Sequence, residues 1–196
     1  LPESPDTIVR RADERLKREL RVELRALGEV EYFLGRPVGE LDEARPGDRG
    51  YHATSPFVTG EALRRRAQCL LAEMGVPVKY AHAEVGLIDA RKEQGRIWEQ
   101  HEIELGLAPL PDAADALILT RWVLLNLARE QGLACRFDPI VKEGHAGSGL
   151  HIHSLPLPVG DGPRGFDADG AVGLAGRWLI GGLVELAPAL MAFGNR

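Results

Sequence analysis

GSGLHIHS, residues 147–154, sets two glycines and a serine ahead of two histidines one residue apart. Side chains alternate along extended backbone, so His151 and His153 leave the same face if this segment is a strand. Such a pair behind a flexible turn fits a metal site, a phosphate site or an ordinary exposed strand, and other strands must decide. Three further strand candidates carry polar pairs at the same spacing: Glu29 and Glu31 in EVEYFL, His82 and Glu84 in VPVKYAHAEV, Glu102 and Glu104 in QHEIEL. One such pair is what any solvated sheet face carries. Repetition among apolar neighbours points instead to carboxylates and imidazoles gathered on one face. Carboxylates that close repel one another and need cations. An oxygen-rich donor set with an occasional imidazole suits Mg²⁺ or Mn²⁺ rather than a structural zinc. Two such ions beside a glycine turn are equipment for phosphoryl transfer.

Working outward, Ile8 or Val9, Ala12, Leu16, Leu20 and Leu24 recur at helical spacing, with Asp6 and Thr7 as caps. The pattern predicts an amphipathic helix ending near Gly28. A strand is expected at 29–34, then a proline- and glycine-punctuated loop at 36–56. Thr59 is expected to cap a helix that Gly75 stops. Strands are expected at 76–85, 100–105, 133–139 and 150–155, with a charged loop running from the first of these to Glu99. Asp112 opens a long helix closed by Gly132, and a last, buried helix starts near Asp169. Strands separated by helices without strict βαβ spacing predict an α+β (mixed α/β) fold.

The 196 residues are 44% hydrophobic and 27% charged with a formal net charge of −5, an ordinary globular composition. That charge excludes a nucleic-acid-binding footprint. The run from Ala171 to Phe193 approaches membrane-spanning length, but Arg177, Glu185, Pro188 and several glycines favour a buried helix over a membrane span. Cys69 and Cys135 follow no metal or disulfide pattern and read as buried, reduced thiols of a cytoplasmic protein. Trp98, Trp122 and Trp178 read as packing residues, and His52 and His145 receive no function. The opening LPESPD and the closing GNR read as cut ends of a longer chain.

These stretches resemble the glutamine synthetases. GEVEYFLG is similar to that family's E-x-E-F-F strand, AHAEVG with QHEIEL to its H-H-E-V…G-Q-x-E-I segment, and GSGLHIHSL to its G-S-G-M-H-x-H motif; RFDP resembles the approach to the turn. The order agrees across nearly the whole chain. The resemblance implies a glutamine-synthetase-type catalytic domain, a curved, largely antiparallel sheet backed by helices, incomplete here. The N-terminal β-grasp domain and the C-terminal part of the catalytic domain, with its flap glutamate and arginines, would be absent. It also implies two or more Mg²⁺ or Mn²⁺ ions, with Glu31, Glu84 and Glu102 on one and Glu29 and His151 on another. His153 and Ser154 would contact ATP, and Gly147 and Ala146 would lie beside the amino-acid substrate.

The implied reaction is formation of glutamine from glutamate and ammonia, with ATP making a γ-glutamyl phosphate. The implied partners are these small molecules and further copies of the chain in a ring. The chain departs from the family's pattern at several places. Ala146 stands where the family has asparagine, Ile140 where it has lysine, and one histidine of H-H-E-V is missing. Ser154 follows His153 directly, and the segment between Glu84 and Glu102 is longer than the family's. These departures leave open a γ-glutamyl-amine ligase with another amine or acid, and an inactive relative. An unrelated metal-binding module whose acidic and histidine pairs lie on separate faces is a further alternative.

Overall fold

The computed structural model describes residues 1–39 and 47–194. The chain divides into two compact units. One comprises Gly28–Gly106 and Ala116–Ile152; the other comprises Leu1–Leu27, Leu107–Asp115 and His153–Arg196. In chain order the elements are α1 (Pro5–Arg15), β1 (Val22–Pro37), α2 (Glu61–Glu73), β2 (Val78–Ala90), α3 (Arg91–Gln94), β3 (Arg96–Leu105), β4 (Ala108–Pro109), α4 (Leu110–Glu130), β5 (Ala134–Arg136), β6 (Leu150–Pro158), α5 (Leu174–Glu185) and α6 (Ala187–Gly194). The strands form one six-stranded sheet ordered β2-β3-β1-β4, with β5 and β6 also paired to β1. The ladders of β1 with β3, β4 and β5 and of β2 with β3 are antiparallel. The mixed α/β expectation therefore holds.

Within the Gly28–Gly106 and Ala116–Ile152 unit, β1 buries Val30, Tyr32 and Leu34, and β3 buries Ile103 and Leu105. Leu63, Ala67 and Leu71 of α2 and Val123, Leu124 and Leu127 of α4 pack into the same core. The helical spacing of those apolar residues is what turns one stripe of each helix inward. In the other unit, Ala26, Ala108 and Ala113 form a smaller core. There too, Leu20, Val22, Leu24, Trp178, Leu183 and Leu190 line an apolar groove of about 310 Å³.

Several boundaries differ from expectation. The first helix ends at Arg15, runs into a π-turn over Leu16–Leu20, and gives way at left-handed Arg21 to β1. Leu16, Leu20 and Leu24 fit helical spacing, yet Val22, Leu24 and Ala26 also alternate, and pairing of Arg25 and Ala26 with β4 selects the strand. Ser4, not Asp6 or Thr7, caps α1: its Oγ accepts from the Thr7 backbone N–H. The expected charged loop before Glu99 is instead a hairpin of β2 and β3, turned by α3 and Gly95 at φ +63°. Buried Ile88 and Ala90 on β2 and Ile97 and Trp98 on β3 drive that extension. Part of the expected 36–56 loop, residues 40–46, lies outside the described residues.

Thr59 does not cap α2; Gly60 is the cap residue, without a side-chain hydrogen bond. The terminus is served by Glu99 of β3 instead. Its Oε2 accepts the backbone N–H groups of Thr59 at 2.8 Å and Gly60 at 3.0 Å. A carboxylate is favourable there because the first N–H groups of a helix lack partners. The C-terminal segment is two helices rather than one, because Pro188 cannot continue a helical ladder and sits in the first turn of α6. It is not buried either: Leu183, Val184, Leu186 and Leu190 are exposed. Trp98 is buried as expected, whereas Trp122 and Trp178 remain about half exposed at 58% and 46%. Cys69 is exposed rather than buried, and both cysteines are free.

Candidate metal centre

Antiparallel register decides the site. Glu31 pairs with Glu102, Glu29 with Glu104, and His82 with Glu102 across three neighbouring strands. Directly opposed residues share a face, so these side chains stand together while Val30, Tyr32, His101 and Ile103 enter the core behind them. These side chains all belong to the unit formed by Gly28–Gly106 and Ala116–Ile152. A break in register between Ala83 and Leu87 marks a bulge that carries Glu84. His82 stands between two carboxylates, its Nε2 2.9 Å from Glu102 Oε2 and its Nδ1 3.5 Å from Glu84 Oε1. The rings of Tyr51, His52 and Tyr80 surround the His82 ring at 5.5, 4.7 and 5.0 Å. His151, from the start of β6, reaches the other side: its Nδ1 is 3.0 Å from Glu29 Oε2 and 3.9 Å from Glu31 Oε1. Glu104 is drawn away to Lys79, 2.7 Å distant.

The donors fall into two groups whose atoms lie within 4.8 Å of one another: Glu29, Glu102 and His151; and His82, Glu84 and Glu102. Glu102 belongs to both. Burial pushes its carboxyl up to about 7, and the carboxylates of Glu29, Glu31 and Glu84 push the same way, while His82 pulls it down. Negative charge is therefore concentrated beyond what the protein's own groups neutralise. A divalent cation would relieve it, and the carboxylate-and-imidazole donor set suits Mg²⁺ or Mn²⁺.

The turn at 145–149 is held against this cluster. Asp48 Oδ2 accepts from His145 Nδ1 at 3.1 Å and from the Ala146 N–H at 3.3 Å, and Asp48 Oδ1 accepts from the Leu87 N–H at 3.2 Å. The Gly149 N–H donates to Glu31 Oε2 at 2.9 Å. The close approach at Gly149 leaves little room for a side chain, since a Cβ would lie 2.9 Å from His151 Nε2 and 3.1 Å from Glu31 Oε1 and would displace them.

The family described as "Glutamine synthetase, catalytic domain" matches residues 3–196. The chain belongs to the glutamine synthetase family. Among similar proteins, glutamine synthetase from Frankia alni is 34% identical over 148 residues, covering 74% of this chain and 29% of that protein. A 3-hydroxylaminophenol mutase from Cupriavidus pinatubonensis is 32% identical over 154 residues, covering 77% of this chain and 30% of that protein. The chain thus spans about a third of the length of these relatives. A cryo-EM structure of Plasmodium falciparum glutamine synthetase shares the fold with a TM-score of 0.81 at 20% identity, covering all of this chain and 42% of that one.

In this glutamine synthetase-family chain, Glu29, Glu84, Glu102 and His151 fall into the two donor groups. Glu31 lies beside them, opposite Glu102 and near His151. Gly147 and Ala146 lie on the clamped turn. His153 and Ser154 are exposed on β6 and belong to the other compact unit. The sequence-level set omitted His82, Gln100 and Asp48. For His82 the signal was present in its spacing-two pairing with Glu84. Gln100 opens the QHEIEL stretch that resembles the family's G-Q-x-E-I segment, but its contacts are with residues far along the chain, and Asp48 gave no signal. Among the described residues no helix is long and apolar enough to cross a membrane.

Proposed function

We propose that the protein carrying this chain is an ATP-dependent carbon–nitrogen ligase that joins glutamate and ammonia into glutamine through a γ-glutamyl phosphate. The observation that carries this reading is one buried carboxylate, Glu102, shared by two donor groups on one sheet face beside a glycine turn. In this reading residues 1–196 are a portion of the catalytic domain. Glu31, Glu84 and Glu102, with His82 beside them, would hold one Mg²⁺ or Mn²⁺ ion, and Glu29 and His151 another. The ions, when bound, supply neutralisation of charge on the transferring phosphoryl group.

The chain's own residues do the positioning. In this reading Gly147 and Ala146 would bind the acid, and His153 and Ser154 would contact ATP. Closeness and orientation let the γ-carboxylate attack the γ-phosphorus of ATP as the bond to ADP breaks, and let ammonia, giving up a proton, displace phosphate from the acyl phosphate. The working protein is proposed to be cytoplasmic and to assemble with further copies of itself in a ring.

Ala146, standing where the family has asparagine, favours a second reading with another amine or acid, as in a γ-glutamyl-amine ligase. A relative named as a mutase also fits a broader range of substrates. Phosphate release by the intact protein decides between these readings. It should require ATP, Mg²⁺ or Mn²⁺, one acid and one amine; the pair that stimulates names the reaction. If no pair stimulates, the protein is an inactive relative.

A further inference from the structure

Gln100 is a glutamine on β3, 1% exposed and two residues from Glu102. Its Nε2 donates to Glu31 Oε2 at 2.8 Å and to the Gly147 carbonyl at 2.9 Å, and its Oε1 accepts the Gly86 N–H at 2.9 Å. The amide has only one workable orientation. Turned over, it would set its oxygen against two acceptors and its NH₂ against a donor. Gly86 sits in the β2 bulge, where a Cβ would lie 2.5 Å from Gln100 Oε1. One side chain therefore ties together the bulge that carries Glu84, the carboxylate of Glu31 and the turn before β6.

Glu31 Oε2 accepts from both Gln100 Nε2 and the Gly149 N–H, which occupies both lone pairs of that oxygen. Only Oε1, the oxygen nearer His151, is left to meet a cation. We propose that Gln100 is a positioning residue that presents Glu31 to the metal centre through a single oxygen and fixes the 147–149 turn beside it. This inference rests on the metal-centre reading above. A glutamate at 100 would keep the shape and the Gly86 bond but turn an acceptor toward Glu31. A methionine would fill the space and leave the carboxylate and the carbonyl without that donor.

The test uses the intact protein, its Gln100→Glu and Gln100→Met variants, and Mn²⁺ alone as the probe. Calorimetry reads affinity, electron paramagnetic resonance reads the surroundings of bound Mn²⁺, and thermal unfolding without metal reads the fold. Loss of a group that orients a ligand costs about 10–100-fold in metal affinity. That loss is expected in at least one variant, with an altered Mn²⁺ spectrum and little change in metal-free unfolding. Wild-type affinity and spectrum in a folded variant overturn the role of Gln100 and leave the metal centre standing. A fall in affinity that only tracks lost metal-free stability in both variants marks a structural role and also overturns it. Absence of Mn²⁺ uptake by the wild type overturns the metal centre and this inference together.

Discussion

His82 Nε2 lies 2.9 Å from Glu102 Oε2, with both side chains less than a tenth exposed. Glu102 is the donor common to both groups, so its removal should disable both. Glu102→Ala is expected to abolish Mn²⁺ uptake in calorimetry and acid- and amine-dependent phosphate release. An active Glu102→Ala variant contradicts the assignment. His82→Ala should be milder, lowering Mn²⁺ affinity about tenfold or more because Glu102 and Glu84 lose the ring that orients them.

Behind the site, buried His101 accepts at Nδ1 from Arg64 Nη1, 2.7 Å away. Burial lowers its imidazole below the ordinary 6.5; the Arg64 charge adds to that, and Glu99 opposes it. Below about pH 6.5 the unfolded chain takes up a proton that His101 in the folded chain refuses, so the contribution of His101 is a loss of stability as pH drops through that range, set against the opposite contribution of Glu102. Urea unfolding at about pH 7.5 and about pH 5.5 measures this, and His101→Gln should reduce the difference. An equal pH dependence in the variant counts against this source.

Glu99 is 2% exposed and gathers the Thr59 and Gly60 N–H groups and the Thr59 hydroxyl. Burial works against its charge, but those hydrogen bonds and His101 keep its carboxyl below the ordinary carboxylate value. Glu99→Ala strands the donors at the start of α2 and should destabilise by about 3–5 kcal/mol in urea titration. Glu99→Gln keeps one acceptor and should cost less, about 1–3 kcal/mol. Equal losses would show that charge, not hydrogen bonding, is what α2 uses.

Gly149→Ala places a methyl against His151 and Glu31. It should weaken Mn²⁺ binding severalfold while metal-free unfolding changes by no more than about 1 kcal/mol. Gly75→Ala is the matched control. Its φ of +82° gives strain of about 1–2 kcal/mol, but nothing lies within 4 Å, and Mn²⁺ binding should stay as in the wild type. If both variants bind Mn²⁺ equally well, the close approach at 149 is not part of the centre.

How much of this was legible differs by residue. Glu29, Glu31, Glu84, Glu102 and His151 could be singled out before folding because each sits in a strand with period-two alternation, a local signal. The same logic misplaced the end of α1, since Leu16, Leu20 and Leu24 satisfy a helix while Val22, Leu24 and Ala26 satisfy a strand, and only pairing with a distant strand breaks the tie. Family membership and the mixed α/β architecture were likewise carried by ordered local motifs.

Chain order and spacing thus singled out which polar side chains are candidates for one sheet face, because backbone alternation and turn preference are properties of a few adjacent residues. Three-dimensional pairing alone settled who stands beside whom: Glu102 in both donor groups, His82 between two carboxylates, Gln100 gripping Glu31 and the Gly147 carbonyl. Those relations depend on strand register and on a bulge, and a slip of one residue would turn every one of these side chains to the opposite face of the sheet.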